Sequence, residues 1–453
     1  MAIQLSREFD LLVLRARMRV DAAEVGVGCE LLKFTHHEPE LVDSWEHAAS
    51  AFGLAATDGV THPRGDAPTV FPDGLAENIA RRADDLAPAD VPLWLHVARP
   101  VGYLGTLPWE RWLTPIIRRP VLRLPDFLDH PGPKPEGDVV VALCGSVPVA
   151  KTAFPVVEQL ARMARAALEA DPQRVVVHLF TDVEQTPQAQ RILDAERRIH
   201  VHDAREDESD DEDGESGGSP WLRWMLRSLG GEPVDIIHFL CHGFLHRTRA
   251  AIAVAESPRE NFDRASARFV EARDLTRFAT RLGAWGVGFS SPSANYSEAG
   301  LRRVADQIAT ARPGPVIFHD FGVDPDGLQL ASGYRLILGT GRAEPSPAIS
   351  LSCHPSFVAS DGARRGPAAS VESKVLRIAD TTWRAAGLRY LEMIDREIEQ
   401  IDLEVREEAE VSSASTARER SSKTMRDTLR KMEEILSKHG RREGGTRMEG
   451  GGA

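Results

Sequence analysis

Short apolar runs alternate with amphipathic stretches from Asp138 to His319, and this alternation constrains the fold more than any other feature of the chain. Two of the runs, Asp138-Val-Val-Val-Ala-Leu143 and Arg174-Val-Val-Val-His-Leu-Phe180, are typical of strands buried on both faces. Repeated strand-helix-strand units imply a parallel sheet with right-handed crossovers. The sequence therefore predicts an α/β fold in three layers with a mainly parallel sheet.

The same pattern predicts the individual elements. We expect strands over 138–143, 174–180, 234–241, 285–289 and 315–319, and helices over 154–170, 187–196, 221–229, 271–282 and 297–311. The first third of the chain is strand-rich, with candidate strands at 9–14, 92–97 and 121–124 and a short helix within 105–115.

These elements divide the chain into five predicted regions. They are a strand-rich N-terminal region (1–135), an α/β domain (136–341), a linker rich in proline and serine (342–370), a helical extension (371–438) and a disordered tail (439–453). The extension carries two apolar seams with steps of three and four residues, which is heptad spacing. The seams are Leu391, Ile394, Ile398, Ile401 and Val405, and then Met425, Leu429, Met432 and Leu436.

Charge and composition exclude several classes of function. The net charge is −13, and residues 203–215 carry nine acidic residues and one basic residue, so we expect a solvated acidic loop and no nucleic-acid ligand. Four scattered cysteines indicate reduced thiols and no metal site. We expect a cytoplasmic protein that does not associate with membranes, because the chain has neither a long apolar run nor a signal peptide. Glycine-rich nucleotide motifs are absent, and no cofactor is predicted.

A candidate site follows from two consecutive apolar strands. The run Val234-Asp-Ile-Ile-His-Phe-Leu-Cys-His-Gly-Phe-Leu245 delivers His242 and Gly243 to the carboxyl end of a predicted strand. The next apolar run ends in Ser290 and Ser291, which lie 48 and 49 positions after His242. Loops at the carboxyl ends of neighbouring parallel strands converge. A histidine base beside a hydroxyl nucleophile is suited to acyl transfer, so His242, Ser290 and Ser291 are the candidate catalytic residues.

Simpler interpretations remain open for these residues. His242 is equally compatible with a structural histidine, and the two serines with the end of a strand. His238 lies on the same predicted face as His242, but about 13 Å away, too far to share a metal ion. Cys241 alternates to the opposite face and is expected in the core. Cys144, at the end of a neighbouring strand, is a less favoured candidate to reach His242.

Acidic residues follow the last predicted strand of the sheet domain. Two interpretations are open for Asp320, Asp324 and Asp326: they line a pocket for a basic side chain, or they are solvated. We favour the second interpretation. No cation-binding role is predicted for them.

Several segments in this order resemble the CHAT family of bacterial caspase-like domains. They are Leu107-Pro-Trp-Glu110, Pro120-Val-Leu-Arg-Leu124, the strand and helix from Val139, the block from Val234 to Gly243, and Gly314-Pro-Val-Ile317. The resemblance spans about residues 90 to 340 and implies a caspase-hemoglobinase fold with a His-Cys peptidase dyad. His242 and Gly243 match the family's histidine and glycine, whereas serine stands where the family has its catalytic cysteine.

The resemblance implies two alternative functions. One is a peptidase-like effector or regulated component of a bacterial conflict or defence system, with a protein partner or polypeptide substrate. The other is a catalytically inactive pseudo-caspase that binds or assembles proteins. Serine is a poorer nucleophile than cysteine until a base removes its proton, so the substitution bears directly on this choice.

The helical extension is expected to mediate association, since short isolated helices are marginal in water and the seams require a partner. Truncation at Arg364 should therefore abolish an oligomer, or release a co-purifying partner, as measured by light scattering. An unchanged monomer with a lower melting temperature would instead indicate that the second seam folds back on the first as an intramolecular hairpin.

Overall fold

The structure is a computed structural model that describes most of the chain up to Val358. The described residues are 9–20, 25–34, 39–57, 60–63, 69–98, 103–125, 135, 137–148, 155–206, 219–246, 249–259, 267–292, 295–312 and 314–358. They belong to one compact unit, Met1–Arg365. The predicted extension (371–438) and tail (439–453) lie outside the described residues, as does the acidic stretch from 207 to 218.

The first third of the chain forms strands with two helices. The strands are β1 (Leu11–Val20), β2 (Val25–Phe34), β3 (Glu40–Ala48), β4 (Leu54–Thr57), β5 (Val60–Pro63), β6 (Leu93–Val97) and β7 (Val121–Arg123), and the helices are α1 (Leu75–Leu86) and α2 (Trp109–Ile117). Strands β4 and β5 form a separate hairpin. The helices pack on one face of the sheet over a core that includes Leu14, Cys29 and Trp109.

The rest of the described chain alternates strands and helices, and the elements at 199–202, 249–254, 268–271, 328–338 and 349–352 were not predicted. The strands are β8 (Val139–Ser146), β9 (Val175–Thr181), β10 (Ile199–His202), β11 (Ile236–His246), β12 (Arg249–Val254), β13 (Arg268–Glu271), β14 (Gly286–Ser291), β15 (Val316–Asp320) and β16 (Ile349–Ser352). The helices are α3 (Val156–Ala170), α4 (Thr186–Leu193), α5 (Pro220–Ser228), α6 (Ala272–Arg281), α7 (Asn295–Ala311) and α8 (Leu328–Leu338). Short 3₁₀ helices lie at Ala49–Phe52, Leu104–Thr106, Ala204–Glu206 and Pro355–Phe357.

One continuous sheet joins the two parts. Its order is β10-β9-β8-β11-β14-β15-β16-β7-β6-β1-β2-β3, and β12 and β13 extend from β11. The six strands from β10 to β15 are mutually parallel. The direction reverses at β16, which is antiparallel to β15 but parallel to β7. The structure is thus a mixed α/β fold with a large, mostly parallel open sheet.

Helices cover both faces of the parallel part, which gives the three predicted layers. Helices α3, α4 and α8 pack on one face, where Leu143 and Leu240 are buried. Helices α5, α6 and α7 pack on the other face, where Cys144 and Phe239 are buried. Alternate residues of each strand point to opposite faces, so a strand covered on both sides must be apolar throughout, as the sequence pattern required.

The prediction of a linker over residues 342–370 is wrong for part of that range. Residues 349–352, within the expected linker 342–370, form β16 and pair with β15, so the sheet extends past the predicted boundary at 341. The sequence Ile349-Ser-Leu-Ser352 is short and lies in a proline- and serine-rich context, yet all four residues are buried. Burial between two neighbouring strands thus outweighed a composition typical of a loop.

A buried ion cluster connects the two parts of the sheet. The Glu110 carboxylate on α2 accepts hydrogen bonds from Arg123 on β7 (2.6 Å) and from Arg302 on α7 (3.2 Å). Arg302 also contacts Ser350 on β16, and its guanidinium lies 4.2 Å from the ring centroid of Phe318. Burial acts to raise the pKa of Glu110, but the charges of Arg123 and Arg302 outweigh it and lower this pKa to about 2.

Removal of the central carboxylate should be costly. Glu110→Gln removes the charge that the two guanidinium groups share and leaves Arg123 with Asp306 (3.0 Å) and Arg302 with Glu298 (2.9 Å). We expect a loss of about 1.5–3 kcal/mol in the free energy of unfolding, measured by urea denaturation. Asp43→Asn, which removes the partner of the partly exposed Arg82, is the matched control and should cost less than about 1 kcal/mol. Equal losses in the two variants would contradict a structural role for the cluster.

Candidate functional site

Three central strands place polar side chains in a row on the face beneath α8. Ser290 on β14 lies between His238 on β11 and His319 on β15. Its Oγ is 2.9 Å from His238 Nε2 and 3.0 Å from His319 Nδ1. All three side chains are fully buried, with relative exposures of 0%. The Ser290 hydroxyl therefore has two histidine partners, and neither of them is His242.

The row continues at both ends into groups carried by α8 and the turn before it. Tyr334 on α8 lies with its hydroxyl 2.6 Å from His238 Nδ1. At the other end, His319 Nε2 is 3.2 Å from Asp324 Oδ2. The Asp324 carboxylate also accepts hydrogen bonds from the backbone N–H groups at the start of α8, on Leu328, Gln329 and Leu330. One buried polar chain thus joins three strands to the helix that covers them.

The Asp324 carboxylate determines the direction of every hydrogen bond in this chain when both imidazoles are neutral. An ionised carboxylate can only accept, so His319 Nε2 carries the proton and His319 Nδ1 accepts from the Ser290 hydroxyl. Ser290 Oγ then accepts from His238 Nε2–H, and His238 Nδ1 accepts from the Tyr334 hydroxyl. Every donor and acceptor in the row is used, which is how buried polar groups avoid a desolvation cost.

Burial also determines the charge states in the row. Burial and the nearby His319 lower the pKa of His238 to about 3, so this imidazole is neutral at neutral pH. Burial acts to raise the pKa of Asp324, but the hydrogen bond from His319 and those from the backbone N–H groups of Leu330 and Gln329 lower it overall. Burial raises the pKa of Tyr334 well above its ordinary value. Tyr334 is therefore a neutral hydroxyl donor, and Asp324 is an ionised acceptor.

Gly288 leaves space for the imidazole of His238. It pairs with His238 across strands β11 and β14. A Cβ atom at position 288 would lie 2.2 Å from His238 Nδ1, a separation that atoms do not tolerate. A side chain larger than hydrogen on β14 would therefore exclude the imidazole from its position beside Ser290.

His242 occupies a different position from this row. It lies beyond the parallel part of β11 and pairs with Ala253 on β12. The pairing of β11 with β14 ends at Leu240 and Ser290, so His242 lies two residues past the last pair. His242 is half-buried, its Nε2 has no hydrogen-bond partner among the described residues, and burial lowers its pKa.

The backbone next to His242 is held by a close helix contact. Gly300 on α7 packs against Gly243 and Phe244 so tightly that a Cβ atom on residue 300 would lie 2.7 Å from the Phe244 nitrogen. The helix that follows the serine strand thus rests directly on the His242–Gly243 segment.

The other candidates from the sequence lie in the core. Ser291 is 1% exposed, and its hydroxyl donates to the Pro292 carbonyl oxygen at 3.0 Å. Cys144 pairs with Phe239 and faces the α5–α7 layer, so the suggestion that it reaches His242 is wrong. Cys241 faces the same layer and is buried, which confirms its predicted place in the core.

The aspartates after β15 do not line a common pocket. Asp320 is buried and pairs with Arg111, and Asp324 belongs to the polar row, whereas Asp326 is exposed. Over the described part of the chain, no group of three or more His, Cys, Asp or Glu side chains is placed to hold a metal ion. In the same part, none of the helices combines the length and apolar character needed to cross a membrane.

The polar row was only partly visible in the sequence. The predicted strands 234–241, 285–289 and 315–319 contain or adjoin His238, Ser290 and His319, but their side-by-side placement depends on strand order and register. A histidine within an otherwise apolar run was the available signal, present at both His238 and His319.

Compared with known proteins, the sequence matches no protein-family model, and no curated protein gives a significant match.

The neutral state of His238 predicts a pH dependence of stability. Its folded pKa of about 3 lies below the ordinary value of 6.5, so the unfolded chain binds a proton first as the pH falls. The free energy of unfolding should therefore decrease from about pH 6.5 downward, by about 1.4 kcal/mol per pH unit for this group.

His238→Gln retains an acceptor for Tyr334 and a donor for Ser290 but cannot titrate. Urea unfolding between pH 7 and pH 5 should show a slope reduced by about one proton relative to the unmodified chain. Part of the slope will remain, since burial and neighbouring imidazoles lower the pKa of His202 to about 4. Identical slopes in the two proteins would show that His238 is charged in the folded state.

Proposed function

We propose that this chain is a caspase-like module, similar to CHAT domains, that binds a polypeptide partner without cleaving it in a bacterial conflict or regulated-proteolysis system. The observation that carries the proposal is the burial of both candidate nucleophiles. Ser290 is held between two histidines, and Ser291 is bonded to the backbone. A hydroxyl in this state is inaccessible to a substrate carbonyl.

The strand arrangement supports the caspase-like part of the proposal. When the edge strand β10 is left out, β8, β9, β11, β14 and β15 stand second, first, third, fourth and fifth in this part of the sheet, a common doubly wound order. The histidine strand β11 and the serine strand β14 are neighbours, as a dyad at adjacent strand ends requires. His242 lies two residues past the last pair between these strands, and the Ser290 hydroxyl is bonded to His238 and His319 instead.

A second candidate function has one specific observation in its favour. Ser290, His319 and Asp324 are connected in the order of a nucleophile, a base and the carboxylate that orients the base. If α8 moved away from the sheet, this row would resemble a hydrolase site. A peptidase-like effector thus remains the alternative, and reactivity of the serines separates it from a binding module.

Thiol labelling tests the proposal cleanly, because the four native cysteines are all buried. Ser291→Cys and Ser290→Cys should react with iodoacetamide in the native state at least about 100-fold more slowly than Ser50→Cys. The Ser50 side chain is exposed on the 3₁₀ helix Ala49–Phe52. All three variants should expose one extra thiol after denaturation. The unmodified chain should also resist fluorophosphonate labels.

Rapid native labelling of either variant, slowed by His242→Ala or by His319→Ala, would overturn the proposal. The choice of histidine would then identify the base: His242 for a dyad at the strand ends, His319 for the buried row.

A further inference from the structure

The strands β11, β12 and β13 form a small antiparallel extension whose two faces differ. Residues directly opposite each other in such strands point to the same side. His242, Ala253 and Phe269 are opposite one another, as are Phe244, Ala251 and Glu271. The reverse face carries Ile252, Val254 and Val270, which are buried in the core. The front face therefore combines His242 with two phenylalanines above a floor of alanines.

The two phenylalanines are exposed and touch each other. Phe244 is 41% exposed and Phe269 is 50% exposed, and their ring centroids are 4.3 Å apart. The other large apolar side chains exposed among the described residues are aliphatic. Exposed aromatic side chains of this kind are frequent anchors in protein interfaces.

The edge of the extension is open. Within the described chain, β13 pairs only with β12, so the backbone groups on its outer side have no strand partner. Unprotected edges favour pairing with another extended chain. Phe269 lies on this edge strand, so a strand added there would run alongside the aromatic pair.

The charges around this edge favour an acidic partner. Arg249, Arg268 and Arg273 are exposed, and none of them forms an ion pair with a described residue. Among the described residues of β12, β13 and the first turn of α6, Glu271 and Asp274 are the acidic side chains, and Asp274 contacts Arg277. An approaching carboxylate would thus meet cations that lack a counter-charge.

We infer that the Phe244–Phe269 face binds an extended acidic segment of a partner protein, which adds as a strand to β13 and packs an apolar side chain on the two rings. The inference rests on the proposed function and names its binding surface and the chemistry of its partner. His242 lies on the same face and is half-buried there.

A phage-displayed library of random linear dodecapeptides tests the inference with the full chain as the target. Enriched peptides should carry an aromatic or branched apolar residue flanked by Asp or Glu. Phe244→Ser should weaken their binding at least about tenfold by fluorescence polarisation, and Arg268→Glu about fivefold. Leu41→Ser, at an apolar side chain with 56% exposure on β3, is the matched control and should leave affinity unchanged.

Hydrogen exchange identifies the binding mode. The amides of residues 268–271 should gain protection when a selected peptide binds, whereas those of β3 should not. Selected peptides that bind Phe244→Ser and Arg268→Glu with undiminished affinity, or that leave β13 unprotected, would overturn the inference. Either of these results would overturn the binding surface but leave the proposed absence of cleavage standing. Cleavage of a bound peptide would contradict the proposed function and leave the binding surface standing.

Discussion

The Asp324 carboxylate is the constraint on which the centre of the structure depends. Because it can only accept hydrogen bonds, it orders the protons from His319 through Ser290 to His238 and Tyr334 when both imidazoles are neutral. The same carboxylate caps the start of α8 through three backbone N–H groups. The Asp324 carboxylate therefore binds both the start of α8, which covers the site, and the His319 imidazole of the polar row. As a result, α8 cannot leave the sheet without breaking the row.

A Ser-His-Asp connection does not by itself indicate catalysis. In a working hydrolase the hydroxyl oxygen must be free to attack, and backbone donors must face the developing charge. Here Ser290 Oγ accepts a hydrogen bond from His238 on one lone pair, and the row is sealed from solvent. The geometry therefore favours a role in positioning β11, β14 and β15 relative to α8. Such a buried network contributes to a unique arrangement of these elements when every member is satisfied.

The sequence predicted five strands of the parallel part and the helices between them close to their observed bounds, since burial on both faces imposes a distinct composition. It missed β10 in that part, and it also missed β12 and α8 although both are largely apolar. Strand β3 was missed because one of its faces is polar, and α1 because its charged residues obscured its apolar positions.

The candidate site was less accessible to sequence reasoning. Spacing alone suggested that His242 and the serines meet, whereas the partners of the Ser290 hydroxyl are His238 and His319. The partnership of Ser290 with His238 depends on the missing side chain of Gly288 on the adjacent strand. Contacts of this kind follow from cross-strand neighbours, and a single sequence does not specify which strands are neighbours.

The reversal of direction at β16 has a geometric consequence for the whole sheet. Strands β8, β11, β14 and β15 end at one edge, whereas β16, β7, β6 and β1 end at the opposite edge. Loops at carboxyl ends are where open α/β sheets present their ligands. The described sheet therefore has two such rims that face opposite ways. Substitutions in the loops at one rim lie at the far edge of the sheet from the loops at the other rim.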